Sequence, residues 1–294
     1  MKQFNIKGYH DLQLNCYLFE PKKKAKAVVQ VIHGMHEHGL RYKDFAEFLA
    51  NNGYVVLVSD LRGHGHSLLG EKKYGFGEKD IYAEIIEDQN IICGFLKEKY
   101  NLPIYVFGHS FGSFVTQGLM QVNHIPDKFV LCGTTDGSKF IYRAGSLLAG
   151  FLIAIGQKNN RANIMEGINL RSYGKRFKNG NWLSRDEDNW ERYLKDELRG
   201  HDFPVSFYRS MLKHLSKLNK TIYKIPDKTS IFLIAGDKDP VGKNAKYVES
   251  LYKTYIKNGK NCKIKIYPDC RHELINELNK AEVYNDVLNF FELR

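Results

Sequence analysis

The stretch from Ile104 to Gly112, I-Y-V-F-G-H-S-F-G, constrains what this chain can fold into more than any other. Four residues suited to a buried strand, Ile104 to Phe107, run into Gly108-His109-Ser110-Phe111-Gly112, and then into apolar residues at helical spacing: Phe114, Val115, Leu119 and Val122. The pattern predicts strand, sharp turn, helix. On such a turn a serine is held in a strained backbone conformation with its hydroxyl clear of the sheet, and residues without a Cβ two positions to either side let the backbones pass. Gly108 and Gly112 hold those two positions. The bland alternative is a loop serine between two core elements, and the rest of the chain has to separate the two.

Upstream, residues 4 to 19 read as two short strands joined at Gly8 to Asp11, and a third strand, Ala27 to Ile32, ends in His33-Gly34-Met35-His36-Glu37-His38-Gly39. A helix carrying Phe45, Phe48 and Leu49 follows. Strand Tyr54 to Val58 then leads to Asp60-Leu61-Arg62-Gly63-His64-Gly65-His66-Ser67, and a helix from about Asp80 to Tyr100 precedes the elbow. Strand Phe129 to Cys132 comes after it. Uninterrupted apolar strands alternating with helices predict an α/β fold with a mostly parallel central sheet and helices on both faces. The rhythm breaks at about Gly137, and up to about Lys220 the chain is helical and aromatic, with an apolar run from Leu147 to Ile155. It resumes with Thr229 to Ala235, a helix from about Lys243 to Lys257, strand Lys263 to Tyr267 and a terminal helix. The expected organisation is therefore a core in two parts, 1–136 and 221–294, with a helical insertion at 137–220.

A serine hydroxyl is a poor nucleophile until a base takes its proton, and that base needs a carboxylate to hold its tautomer. In an elbow fold these partners follow the serine in the order acid, then histidine, at the ends of later strands. Gly236-Asp237-Lys238-Asp239-Pro240-Val241 follows one such strand and Pro268-Asp269-Cys270-Arg271-His272-Glu273 the next. His272 is the expected base. Asp239 is favoured over Asp237 as the carboxylate, the alternative giving both to turns and caps, for which aspartate is well suited. An oxyanion needs two preplaced donors, the backbone N–H after the nucleophile and one from the loop after an early strand. Phe111 and Met35 supply them.

Taken together, H-G-M-H-E-H-G with Arg41-Tyr42, D-L-R-G-H-G-H-S, G-H-S-F-G, G-D-K-D-P-V and R-H-E resemble the monoacylglycerol lipase and lysophospholipase group of α/β-hydrolases, the serine aminopeptidase superfamily. Asn181-Trp182-Leu183-Ser184-Arg185-Asp186 is similar to the cap of bacterial members. The resemblance spans nearly the whole chain. It implies an α/β-hydrolase fold with an inserted helical cap, a Ser110, Asp239, His272 triad, and Met35 and Phe111 as oxyanion donors. It departs at Met35, where monoacylglycerol lipases commonly carry a smaller residue.

The function expected is a serine hydrolase that cleaves monoacylglycerol, lysophospholipid or medium-chain acyl esters through an acyl-enzyme, with no cofactor and no metal. His33, His36, His38, His64 and His66 lack the spacing of zinc hydrolases and are expected to brace the loops around the oxyanion. Leu147, Leu148 and Trp182 are the candidate substrate-binding residues, since ligand pockets are mostly apolar and often lie between domains. A net charge of +11 raises nucleic-acid binding, but the lysines are scattered and no recognition motif accompanies them. A weak attraction to anionic lipid surfaces is the partner reading that charge leaves. Five cysteines without a C-x-x-C pair suit reduced core thiols, no apolar run is long enough to span a bilayer, and Met1-Lys2-Gln3-Phe4-Asn5 lacks the apolar core of a signal peptide, so a cytoplasmic enzyme is expected. Two other functions stay open: a peptidase or thioesterase on the same triad, and a ligand receptor built on a hydrolase scaffold.

Overall fold

A computed structural model describes residues 1–70, 74–137, 140–168 and 170–293, leaving aside the side chains of 168, 170 and 171. Among these residues eight strands form one sheet in the order β1-β2-β4-β3-β5-β6-β7-β8. They are β1 (Lys2–Lys7), β2 (Gln13–Phe19), β3 (Ala27–Ile32), β4 (Tyr54–Ser59), β5 (Ile104–His109), β6 (Lys128–Cys132), β7 (Ser230–Gly236) and β8 (Asn261–Tyr267). The β1 and β2 pairings are antiparallel and all the others parallel. β3 and β4 are V-, I- and L-rich and buried along their whole length, as strands covered on both faces must be.

Helices α1 (Lys43–Asn51), α2 (Ile81–Tyr100) and α3 (Phe111–Leu119) alternate with these strands. Asp80 caps α2 by accepting from Ala83 N at 3.5 Å, and Asn101 ends it in the left-handed conformation at φ 48°. α3 is shorter than the apolar spacing predicts: it stops at Leu119, and Val122 lies exposed beyond it. Between β6 and β7 come α4 (Phe140–Ala154), α5 (Asn163–Ile168), α6 (Leu170–Gly174), α7 (Glu187–Lys195) and α8 (Val205–Leu215). The chain finishes with α9 (Lys246–Lys257) and α10 (Lys280–Glu292). Ile85 of α2, Val115 of α3 and Leu251 of α9 belong to one core, which α8 extends with Phe207, Met211 and Leu215. Phe45 and Leu49 of α1 meet Val283, Val287 and Phe290 of α10 in the core on the opposite face of the sheet.

Register positions the site. Ile32 of β3 lies beside Gly108 of β5, His109 beside Cys132 of β6, Cys132 beside Ile234 of β7, and Gly236 beside Tyr267 of β8. The carboxyl ends of five parallel strands thus share one rim, which is where ligands bind in open α/β sheets.

Candidate active site

Ser110 is the single residue between β5 and α3. Its φ of 50° and ψ of −120° lie where an L side chain is strained. The surroundings enforce that conformation: Ser110 N donates to Cys132 O at 2.9 Å, and Ser113 N and Phe114 N donate to Ser110 O at 2.9 and 3.2 Å. A Cβ on Gly108 would lie 2.7 Å from the Gly112 carbonyl oxygen, and one on Gly112 would run into the carbonyls of Ile32 and His33. Both glycines are there because two strands and a helix pass at backbone contact.

His272 and Asp239 come to the same rim on the loops after β8 and β7. Both are fully buried, and His272 Nδ1 lies 2.9 Å from Asp239 Oδ2. The approach is off-line, so the two atoms are paired by charge and proximity without a well-aligned hydrogen bond. Asp239 Oδ1 accepts from Val241 N at 2.8 Å, which holds the carboxylate in place. Asp237 is partly exposed and lies 3.1 Å from Lys238 Nζ, while Asp239 is the aspartate beside the imidazole. His272 Nε2 is buried and has no hydrogen-bond partner among the described residues. Its ring packs 5.0 Å from Trp182 and 4.9 Å from His109, and Gly133, at φ 60°, leaves only 3.0 Å between a hypothetical Cβ and His272 Cε1.

The loop after β3 completes the rim. A Cβ on Gly34 would stand 3.2 Å from Ser110 Cβ, so the backbone that carries Met35 abuts the serine. Phe111 N–H opens α3, in the first turn, where amides have no intrahelical partner.

Sequence reasoning missed the charged frame beneath this loop. Glu37 is buried and accepts from Gly34 N at 2.5 Å and Tyr42 Oη at 2.8 Å, and it lies 3.2 Å from His109 Nδ1. Arg41 bridges Glu37 at 3.1 Å and Glu273 at 2.6 Å, while Asn189 of α7 donates to Glu273 at 3.0 Å. Burial alone would raise Glu37, yet His109 and Arg41 hold its carboxyl far below the carboxylate range; Glu37 in turn raises His109 against the opposing effect of burial. A second frame ties the 181–185 strap to the histidine loop. Glu273 N donates to Leu183 O at 2.7 Å, Ser184 Oγ to Asn276 O at 2.7 Å, and Arg271 Nη1 to Asn181 O and Ser184 O at 2.6 and 2.9 Å. The available signal was the density of charge in short loops between apolar strands.

The loop histidines each spend a ring nitrogen on a separate partner. His33 Nδ1 donates to Gly34 O at 2.7 Å and its Nε2 accepts from Leu61 N at 2.8 Å; His36 Nδ1 donates to Gly200 O at 2.6 Å; His38 pairs with Asp196 at 2.7 Å; His64 Nδ1 meets Arg62 O at 3.0 Å. His66 is exposed. Among the described residues no group of three His, Cys, Asp or Glu side chains converges as metal ligands would.

A cavity of about 460 Å³ opens over Ser110. Phe114, Tyr142, Met211, Leu212, Leu215 and Val241 make an apolar wall, while His36, Arg161, Glu166 and Arg199 line a polar part. Trp182 lines it too. Leu147 and Leu148 do not: Leu147 is 71% exposed and Leu148 packs partly buried against the core, because α4 turns Tyr142 toward the cavity.

The family model described as "Serine aminopeptidase, S33" matches residues 23–279. A monoglyceride lipase homolog of Monkeypox virus is 26% identical over 277 residues, covering 91% of this chain and 89% of that protein. A monoacylglycerol lipase of Mycolicibacterium smegmatis is 24% identical over 281 residues, covering 93% and 90%. In structure, a thermostable carboxyl esterase of Bacillus coagulans solved with glycerol superposes with a TM-score of 0.91 at 24% identity, over 99% of this chain and 97% of that one.

Proposed function

From a chain that belongs to the serine aminopeptidase, S33 family of α/β-hydrolases, we propose an esterase that cleaves monoacylglycerol-like or medium-chain acyl esters through an acyl-enzyme. The observation that carries this is the meeting at one rim of the strained Ser110, the buried Asp239 and His272 pair, and an apolar cavity. The lipases among the relatives support the choice of ester.

In the proposed reaction Ser110 Oγ attacks the acyl carbonyl carbon and its proton passes to His272 Nε2. Asp239 beside Nδ1 keeps that nitrogen protonated, so that Nε2 offers its lone pair, and then stabilises the imidazolium. The off-line contact matches catalytic hydrogen bonds that tighten only as the reacting complex forms. Met35 N–H and Phe111 N–H hold the oxyanion. The tetrahedral intermediate collapses as the C–O bond to the alcohol breaks and His272 returns the proton to the leaving oxygen. Water, deprotonated by the same imidazole, then releases the carboxylic acid and restores Ser110.

Residues 137–220 act in this reading as a cap over a core of 1–136 and 221–294. The acyl chain runs along Phe114, Met211 and Leu215, beside Trp182. Fluorophosphonate labelling with a p-nitrophenyl ester series tests it. Wild type should label at Ser110 and prefer an intermediate chain length, and Met211→Trp should shift that preference to shorter esters. A burst of one acylation without turnover would favour the receptor reading, and absence of labelling would end the proposal.

A further inference from the structure

His36 holds the loop after β3 in a conformation that costs free energy. Its φ is 59°, in the left-handed region that residues other than glycine enter under strain and keep only where the surroundings enforce it. The side chain is buried, yet its ring makes a single hydrogen bond: Nδ1 donates to Gly200 O at 2.6 Å, and Nε2 has no partner among the described residues. A strained backbone and an orphaned buried nitrogen both oppose folding. What sets against them is the tie to Gly200, 164 positions further along the chain.

That tie is firm at its far end. The His36 ring packs on Phe203 at 4.3 Å between centroids. Phe203 is fully buried, edge-on to His64 at 5.0 Å and to Phe207 at 4.8 Å, and its carbonyl accepts from Ala162 N at 3.0 Å. A Cβ on Gly200 would come within 2.7 Å of the Phe203 ring, so the Gly200 backbone is pressed against that side chain. At the near end, Met35, which bears the proposed oxyanion amide, directly precedes His36, and Glu37, which directly follows it, accepts from Gly34 N at 2.5 Å. Gly34 is therefore held by the Glu37 carboxylate and His36 by the 200–203 segment, and Met35 is the residue between them.

We propose that His36 is a positioning residue for the oxyanion: tied to Gly200 and packed on Phe203, it fixes the Met35 amide, so that the chain inserted between β6 and β7 supports half of the oxyanion hole. A preplaced donor is effective because it does not reorganise as charge develops, and a shift of about an ångström forfeits much of that advantage. The imidazole acts here through Met35 and touches none of the reacting atoms. This inference rests on the esterase reading above and adds to it a residue that links the 200–203 segment to the chemistry.

Kinetics of the full chain on p-nitrophenyl butyrate, with inhibition by a trifluoromethyl ketone that forms a hemiketal oxyanion on Ser110, test it. His36→Gly removes the ring and the backbone strain together, so it should fold with a melting temperature near that of wild type. Its kcat should fall about tenfold or more, and its affinity for the ketone by a similar factor, with KM within about twofold. His36→Asn places an amide N–H near the position of Nδ1 and tolerates the left-handed conformation, so it should recover severalfold of that loss. With a wild type that is active and labelled by fluorophosphonate, the proposal is overturned by an unchanged kcat in His36→Gly, by equal losses in the two variants, or by a loss confined to KM. A wild type that neither labels nor turns over would overturn the esterase reading and this inference with it.

Discussion

At the scale of single residues, Ser110 shows what position demands of chemistry. Its φ of 50° is a conformation that glycine adopts freely and other L-residues resist. Replacing the hydroxyl should therefore separate function from strain. Ser110→Ala is expected to lower ester turnover on the order of a thousandfold or more with the melting temperature nearly unchanged. Ser110→Gly, equally inactive, should be more stable than Ser110→Ala by about 1 kcal/mol, read by chemical denaturation; equal stability of the two would mean the turn is not strained. The two aspartates after β7 make a sharper contrast. Asp239→Asn is expected to cost kcat on the order of 10⁴-fold by favouring the wrong tautomer of His272, whereas Asp237→Asn, which loses only the pairing with Lys238, should stay within severalfold. A reversed order of the two losses would move the acid to Asp237.

At the scale of elements, the strap at 181–185 matters more than its lack of regular structure suggests. Its backbone carbonyls at Asn181, Leu183 and Ser184 are all taken by the loop that carries His272. Arg271 supplies two of those bonds and lies over the Phe177 ring at 4.9 Å. Arg271→Ala should therefore lower kcat about tenfold or more through a misplaced imidazole, with Arg271→Lys recovering only part because an ammonium loses the planar guanidinium's stacking on Phe177. Unchanged kcat in both variants would make the strap a mere surface contact. The same scale shows where pattern reading stops. β3, β4 and β5 are legible because an apolar run of β-branched residues reads the same in a peptide as in a sheet. α4 is legible as a helix but not as to its direction: a run from Leu147 to Ile155 has apolar residues all round, so only packing against α8 decides that Leu147 faces out and Tyr142 in.

For the whole molecule, the histidines that hold its loops also set how it responds to acid. His33, His36 and His64 are buried, and burial lowers each below the ordinary value of 6.5. With a folded pKa below the unfolded one, each is neutral in both states above pH 6.5 and costs nothing there. As pH falls below 6.5 the unfolded chain takes up protons that the folded one refuses, and stability declines by about 1.4 kcal/mol per unit for each such group. His109 is raised, so it works the other way, adding stability below its unfolded value and losing it as pH climbs through its folded one. Three against one, the melting temperature should fall between pH 7 and pH 5.5. A flat or rising curve over that window would mean the buried histidines protonate in place.

The order of strands and helices, the elbow at Ser110 and the candidate positions 35, 111, 237, 239 and 272 were all readable from the chain itself, because each depends on residues within a few positions of one another. Glycine two places either side of a serine, or an aspartate after an apolar strand, is a local arrangement, and local sterics and periodicity are what a linear sequence records. The partners of Glu37, Arg41 and Glu273, the choice between Asp237 and Asp239, and the outward turn of Leu147 required three dimensions. These are contacts between segments up to 232 residues apart, as from Arg41 to Glu273, and strand register, burial and the packing of neighbouring helices decide them.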